Sequence, residues 1–355
     1  MAIGDTTYVD SVREQLLAGR MRLTEVLGQS QSEQMVRLLE EVDSALHRID
    51  HGAFGVCEVC QGTVEDERLR ENPLARVCLD CLTPKQQRAL EYDLELAAQI
   101  QKGLLPPSDV AIAGWDVCYH YQPAGVVSGD YCDLIEGSNG ELYFVMADVS
   151  GKGVAAAMLS SNLRAIFRSL IPMGLCTEEL MSRANRLFRQ TALPTQYATV
   201  VCGKTLRNGE TEIINAGHLP VLLAGRSGVK TFESTCPPLG IFEDQQFTAA
   251  RRTLHAGDTL VLYTDGISEA ENDGGSEYGL DRLRQLVDEH FSYCPAKLVE
   301  ACKKQLLEFR GRRERFDDET LLAIQYTPAA GAGAWTQRDG VRDCSSMAPL
   351  KVCPL

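Results

Sequence analysis

No run of this chain approaches the ~20 consecutive apolar residues that a membrane-spanning helix needs, so no membrane partner is expected. Residues Met1–Asp10 lack a basic stretch followed by an apolar one, which speaks against a secretory leader. Positive charge is in deficit, with 35 Lys and Arg against 49 Asp and Glu, a formal net charge of −14. There is no long Lys/Arg run either, so direct nucleic-acid binding is not expected, because it depends on cations that displace phosphate counterions. Two chemistries are excluded by missing motifs. There is no Cys-x5-Arg loop for a thiol phosphatase and no Gly-x4-Gly-Lys-Ser/Thr loop for an NTPase. The 13 cysteines, an odd number, lack the regular spacing of a short secreted disulfide scaffold. They fit a reducing, cytoplasmic setting better.

What is present divides into four parts: 1–83, 84–105, 106–327 and 328–355. Residues 1–51 carry two helical stripes. Val9, Val12, Leu16, Leu23 and Val26 or Leu27 form one; Met35, Leu38, Leu39, Val42, Leu46 and Ile49 form the other. Gly28 to Ser32 interrupts them, and Ser30 with Glu33 fits a capping box, so a helical hairpin is predicted. A further helix spans 84–105, opened by Pro84 and closed by Pro106-Pro107. Leu90, Leu94, Ala97, Gln101 and Leu104 give it a short heptad seam with one polar position. That seam suits either a homodimeric coiled coil or a helix packed on its own domain. From about 110 to 327, short β-rich runs interleave with helices at 153–170, 177–191, 279–290 and 295–310. The lack of a strict βαβ rhythm favours an α+β arrangement of packed sheets flanked by helices. Asn208-Gly209 marks a hairpin. Residues 328–355 show no period and are expected to be disordered.

Cys57-x-x-Cys60 and Cys78-x-x-Cys81 stand seventeen residues apart. Each Cys-x-x-Cys turn offers two sulfurs, and four thiolates suit one tetrahedral Zn2+. With no open ligand position, the zinc is expected to be structural. The surrounding words, His51 to Cys60, Glu67-Arg68-Leu69 and Ala75 to Cys81, resemble the DksA/TraR-type zinc finger. That resemblance covers about 33–83. It implies contact with RNA polymerase or another regulator, although the Gly28 to Ser32 tip lacks the acidic pair that family uses at the polymerase.

Four acidic motifs lie at the ends of apolar runs or in adjacent turns. They are Ser128-Gly129-Asp130-Tyr131, Asp148-Val149-Ser150-Gly151-Lys152-Gly153, Tyr263-Thr264-Asp265-Gly266 and Phe316-Asp317-Asp318-Glu319-Thr320. A single such Asp is usually a turn residue. Gathered together, carboxylates repel one another, and hard cations such as Mg2+ or Mn2+ offset that cost. Two ions ~4 Å apart would activate a water for attack on phosphorus.

Together with Asn215 to Pro220, Pro238-Leu239-Gly240 and Thr264 to Ala270, these motifs resemble the SpoIIE/RsbU branch of the metal-dependent serine/threonine phosphatases (PPM superfamily, type 2C). Gln99 to Pro106 resembles the helix that precedes that domain. The resemblance implies a central β-sandwich with helices on both faces and two Mn2+ or Mg2+ ions at one end. Asp148 would bridge them, the Val149 carbonyl would bind one, and Asp130 would bind directly or through water. Asp265 would hold the other ion with Asp317 and Asp318, Asp317 being favoured as the direct ligand. Asp148 and Asp265 would thus be the catalytic pair. Lys152 is a candidate phosphate ligand or a plain solvated lysine, and His218 is not expected to act as a base. The implied substrate is a phosphorylated signalling protein, for example an anti-sigma-factor antagonist.

Overall fold

The computed structural model describes residues 6–27, 33–107, 113–137, 140–193 and 195–328. The hairpin tip at Gly28–Ser32 and the expected disordered tail beyond residue 328 lie outside them. The chain divides into two compact units, one up to Leu94 and one from Glu95 onward.

In the first unit, α1 (Thr6–Leu27) and α2 (Glu33–Asp50) form the predicted hairpin. Arg13 pairs with Asp50 and Arg20 with Asp43, so one helix number falls as the other rises and the pair is antiparallel. Val12 and Leu16 pack on Val42, Ala45 and Leu46 between them. Leu38, expected on the stripe, is instead 40% exposed, and Ala45, which the stripe omitted, is fully buried. A short α3 (Asp66–Glu71) follows, and its Leu69 is buried with Cys57, Val64, Ala75 and Cys78. The division between the units falls inside α4 (Pro84–Leu104).

The second unit contains β1 (Trp115–Gln122), β2 (Asp130–Glu136), β3 (Leu142–Val149), α5 (Gly153–Leu170), α6 (Thr177–Thr191), β4 (Ala198–Thr205), β5 (Glu210–Ala216), β6 (Val221–Gly225), β7 (Gly228–Phe232), β8 (Ala250–Thr253), β9 (Thr259–Tyr263), α7 (Asp265–Ser268), α8 (Leu280–Glu289), α9 (Pro295–Arg310) and β10 (Glu319–Tyr326). The strands form two antiparallel sheets, ordered β1-β10-β9-β6-β7 and β2-β3-β4-β5-β8. Alternation along β3 shows the layering. Leu142, Phe144 and Met146 point into the core between the sheets, while Tyr143, Val145, Ala147 and Val149 join α5 and α6 on the outer face. A strand covered on both faces reads as an unbroken apolar run, which is how it reads in the sequence. On the other side, Val261, Tyr263, Leu321 and Ala323 pack under α8 and α9. The result is the sandwich with helices on both outer faces.

Two glycines are required by close approach or backbone sign. Gly203 faces Phe144 across β3 and β4, and a Cβ there would stand 2.0 Å from the ring. Gly209 turns the predicted Asn-Gly hairpin with a φ of 86°. Helix α5, extended to Met173, is long and apolar enough by composition to cross a membrane, although no such stretch was expected. Its Leu163, Phe167 and Leu170 are buried against the β2–β5 sheet, which accounts for its apolar content.

Candidate active site and zinc centre

Among the described residues, Cys57, Cys60, Cys78 and Cys81 place their sulfurs all within 4.8 Å of one another. Local backbone explains why. Gln61 takes a positive φ of 59°, which curls the first knuckle so that the Gly62 N–H donates to Cys60 Sγ at 3.4 Å. The Cys78 N–H donates to Cys57 Sγ at 3.4 Å. The buried Arg48 of α2 donates to the Ala75 carbonyl at 2.8 Å and the Leu74 carbonyl at 3.3 Å, fastening the second knuckle. Backbone N–H groups of Cys60 and Cys78 pull the Cys57 thiol down to about 6. The Cys78 and Cys60 sulfurs push Cys81 up to about 12. Adjacent thiols that cannot all ionise together are relieved by a divalent cation, and an all-sulfur donor set fits Zn2+.

The acidic motifs converge at one end of the sandwich, and both sheets contribute. Asp130 opens β2 and lies directly across from Asp148 at the end of β3. Asp265 follows β9 at the start of α7, and Asp317 and Asp318 immediately precede β10. Because β9 and β10 are paired neighbours, Tyr263 sits opposite Leu321 and the two acidic turns emerge together.

Asp130 is 3% exposed. Its Oδ2 accepts hydrogen bonds from the Thr264 hydroxyl at 2.8 Å and from the Thr320 hydroxyl. Burial, and then Asp148 beside it, raise its carboxyl well above the usual range. Burial and the neighbouring Asp265, Asp317 and Asp318 push Asp148 up to about 7, with Lys152 opposing. Burial, then Asp317, also raise Asp265. These are oxygen-only donors held in mutual repulsion, which fits hard divalent cations. The carboxylates do not close into a single tight shell like that of the cysteines, so water would complete the coordination of any ion they share.

Lys152 sits at the N-cap of α5. Its ammonium pairs with Asp317 Oδ2 at 2.9 Å, donates to the Phe316 carbonyl at 3.0 Å and lies 4.3 Å from the Phe316 ring centre. Its side chain is 57% exposed, so it is a solvent-facing lysine tethered to the acidic cluster through Asp317. His218 is buried and bridges Thr199 Oγ1 at 2.8 Å and the Tyr263 carbonyl at 3.1 Å. Burial lowers it to about 4, so it stays neutral and ties β4 to β9. The Asn215 side chain bonds to Leu219 and His218 in the turn after β5. The side chains of both residues are engaged in these bonds.

Sequence reasoning did not assign three supports. The Thr264 and Thr320 hydroxyls on Asp130 are the first. The second is Gln101, the polar position of the heptad seam. It is buried, donating to the Ser128 carbonyl at 2.7 Å and accepting from the Ser128 N–H at 2.9 Å. The third is Asp133, wholly buried in β2 and paired bidentately with Arg168 of α5 at 2.6 and 2.7 Å. A buried polar residue in an otherwise apolar pattern was the available signal for the last two.

Residues 138–327 match the family model described as Stage II sporulation protein E (SpoIIE). The chain belongs to the SpoIIE family. Residues 52–87 match the prokaryotic dksA/traR C4-type zinc finger. The phosphoserine phosphatase RsbU of Bacillus subtilis is 26% identical over 243 residues, which cover 67% of this chain and 71% of RsbU. Protein IcfG of a Synechocystis species is 27% identical over 261 residues, covering 65% of this chain. The chain spans only 41% of IcfG's length. The SiaA-PP2C domain of Pseudomonas aeruginosa superposes with a TM-score of 0.62 at 20% identity, covering 69% of this chain and all of that one. The two-sheet, helix-flanked unit of this SpoIIE-family chain therefore has the PP2C fold.

Proposed function

We propose that the chain is a Mn2+- or Mg2+-dependent phosphatase that removes phosphate from serine or threonine of a signalling protein in the cytoplasm. The observation that carries this reading is the meeting of Asp130 and Asp148 from one sheet with Asp265 and Asp317 from the other, in a fold shared with PP2C domains. The similarity to RsbU, named a phosphoserine phosphatase, supports the substrate class.

Two ions would be held by Asp148, the Val149 carbonyl, Asp130, Asp265 and the Asp317-Asp318 pair. Such cations supply an activated water and neutralise phosphoryl charge. The protein's part is to hold the carboxylates in register. Thr264 and Thr320 keep one oxygen of Asp130 occupied, which aims the other. Lys152, on a short leash to Asp317, is placed to meet a phosphoryl oxygen when that carboxylate is otherwise engaged. No covalent phosphoenzyme is required, since the activated water would serve as the nucleophile. The phosphoprotein would be a regulator such as an anti-sigma-factor antagonist, and the zinc-bearing unit would govern the response.

Hydrolysis of p-nitrophenyl phosphate and of a phosphoserine protein in Mn2+ tests the proposal. Wild type should turn over both, and Asp148→Ala should lose at least 100-fold. Equal rates would sink it. A second reading, docking on RNA polymerase or a regulator through the finger, is favoured by the dksA/traR match at 52–87. Capture of polymerase by the full chain with Asp148→Ala in place would support it.

A further inference from the structure

The Asp317-Asp318 pair looks symmetrical in the sequence, and the structure separates it. Asp318 has both carboxylate oxygens engaged by main-chain donors. Oδ1 accepts the Ala124 N–H at 2.8 Å and Oδ2 accepts the Gly129 N–H at 2.9 Å. The two donors flank one loop, 123–129, which leads directly into Asp130 at the start of β2. Asp317 is arranged differently. Its Oδ1 accepts the neighbouring Asp318 N–H at 2.9 Å, and its Oδ2 pairs with the solvent-facing ammonium of Lys152 at 2.9 Å.

We infer that Asp318 is a positioning residue, the clasp of the 123–129 loop, and that of the pair it is Asp317 that offers a carboxylate to an ion. The inference rests on the phosphatase reading for its metal arm and on hydrogen-bond geometry for the clasp itself. A carboxylate accepting two N–H groups from one loop has those lone pairs committed, and charge-assisted bonds of this kind are stronger than neutral ones. With one N–H of the same loop on each oxygen, the orientation of this carboxylate is set by the loop, and only its remaining lone pairs are left for any other partner.

The surroundings leave little freedom. A Cβ on Gly266 would stand 2.1 Å from the Asp318 carbonyl, so the backbone of α7 presses directly on this residue. A Cβ on Gly129 would stand 3.2 Å from the Val149 carbonyl and 3.3 Å from the Ala156 Cβ. The loop is thus seated against the end of β3 and the first turn of α5. The Asp130 N–H donates to Ser128 Oγ at 3.0 Å, which passes the loop's position to the first residue of β2. Through this chain of contacts, Asp318 fixes where Asp130 stands relative to Asp148. A carboxylate just before β10 is needed because two of the loop's amides face it, and a neutral amide side chain could accept only one of them well.

Two measurements on the full chain test the clasp. Mn2+ uptake at saturation is counted for wild type, Asp317→Asn and Asp318→Asn. Amide exchange is followed in the segment containing Ala124 and Gly129, with Asp318→Ala as an additional variant. The expected result is that Asp318→Asn binds as many ions as wild type while Asp317→Asn binds fewer. Exchange in the 123–129 loop should quicken at least tenfold in both Asp318 variants, with β3 and β4 amides unchanged. Loss of an ion by Asp318→Asn overturns the assignment, and so does unchanged loop protection. If the wild-type chain takes up no Mn2+, the phosphatase reading fails and the clasp is judged on amide exchange alone.

Discussion

Asp148 is strained by burial and by neighbouring carboxylates, and the consequences can be measured. Its carboxyl is pushed up to about 7, against 3.8 for a free Asp, by burial and by Asp265. The folded-state value lies above the unfolded one, so the ion-free chain loses stability as pH rises from about 4 through about 7. Divalent cations must compete with that proton, so Mn2+ affinity should climb over the same interval and level off above it. Asp148→Asn should stabilise the ion-free chain at pH 8 by ~1–3 kcal/mol and, because Asp148 would bridge the ions, weaken ion binding across the whole pH range. Thermal melts at pH 5 and pH 8, with and without Mn2+, read both effects, and a melt insensitive to pH in wild type would contradict them. The motif residues themselves were legible in the sequence because short acidic words follow apolar runs. The roles of Thr264 and Thr320 were not legible. Their hydroxyls find Asp130 only after strands more than a hundred residues apart in the chain are brought together.

At the scale of elements, β3 and α4 show what pattern reading captures and where it stops. The apolar run of β3 announced a strand, but its two-sided burial came from the facing sheet on one side and α5 and α6 on the other. Strand β2 escaped notice because Asp130 and Asp133 interrupt its apolar residues. Asp133 is tolerated there by its bidentate bond to Arg168, a partner on α5 that no local pattern reveals. Phe144→Ala, which empties the space over Gly203, should cost ~3–5 kcal/mol by denaturant unfolding. A loss below 1 kcal/mol would mean that the sheets do not pack as described. Helix α4 was read as a seam with a polar fault at Gln101. The structure gives that residue a target instead, the Ser128 peptide two residues before Asp130. Gln101→Leu keeps the helix and removes both bonds, leaving a buried N–H and carbonyl unpaired at a cost of ~1–3 kcal/mol. The expected outcome is a several-fold rise in the Mn2+ concentration needed for half-maximal hydrolysis. An unaltered Mn2+ requirement would count against a link between this helix and the Asp130 loop.

For the molecule as a whole, two metal chemistries are kept apart by ligand type. The four-cysteine cluster lies in the first unit and the clustered carboxylates Asp130, Asp148, Asp265, Asp317 and Asp318 in the second. All eleven cysteines in the described residues are free, and the seven outside the zinc cluster are dispersed through the second unit. A zinc chelator should therefore strip one ion per chain and expose 52–83 to protease, because the small core around Leu69 depends on the knuckles. Protection of that segment after chelation would refute a structural zinc. The division of the chain into a cysteine-bearing part and a sandwich was visible from texture alone, since spacing and alternation are local properties. The convergence of four distant carboxylates was an inference from their order. It follows from the pairing of β2 with β3 and of β9 with β10, which is a property of the assembled sheets.

The most direct test is a calorimetric Mn2+ titration of the full chain at pH 8, comparing wild type with Asp265→Asn. The account requires uptake by wild type in the micromolar-to-millimolar range and at least a tenfold weaker or missing event in the variant, with the fold retained. Identical isotherms for the two proteins would mean that these carboxylates do not share an ion.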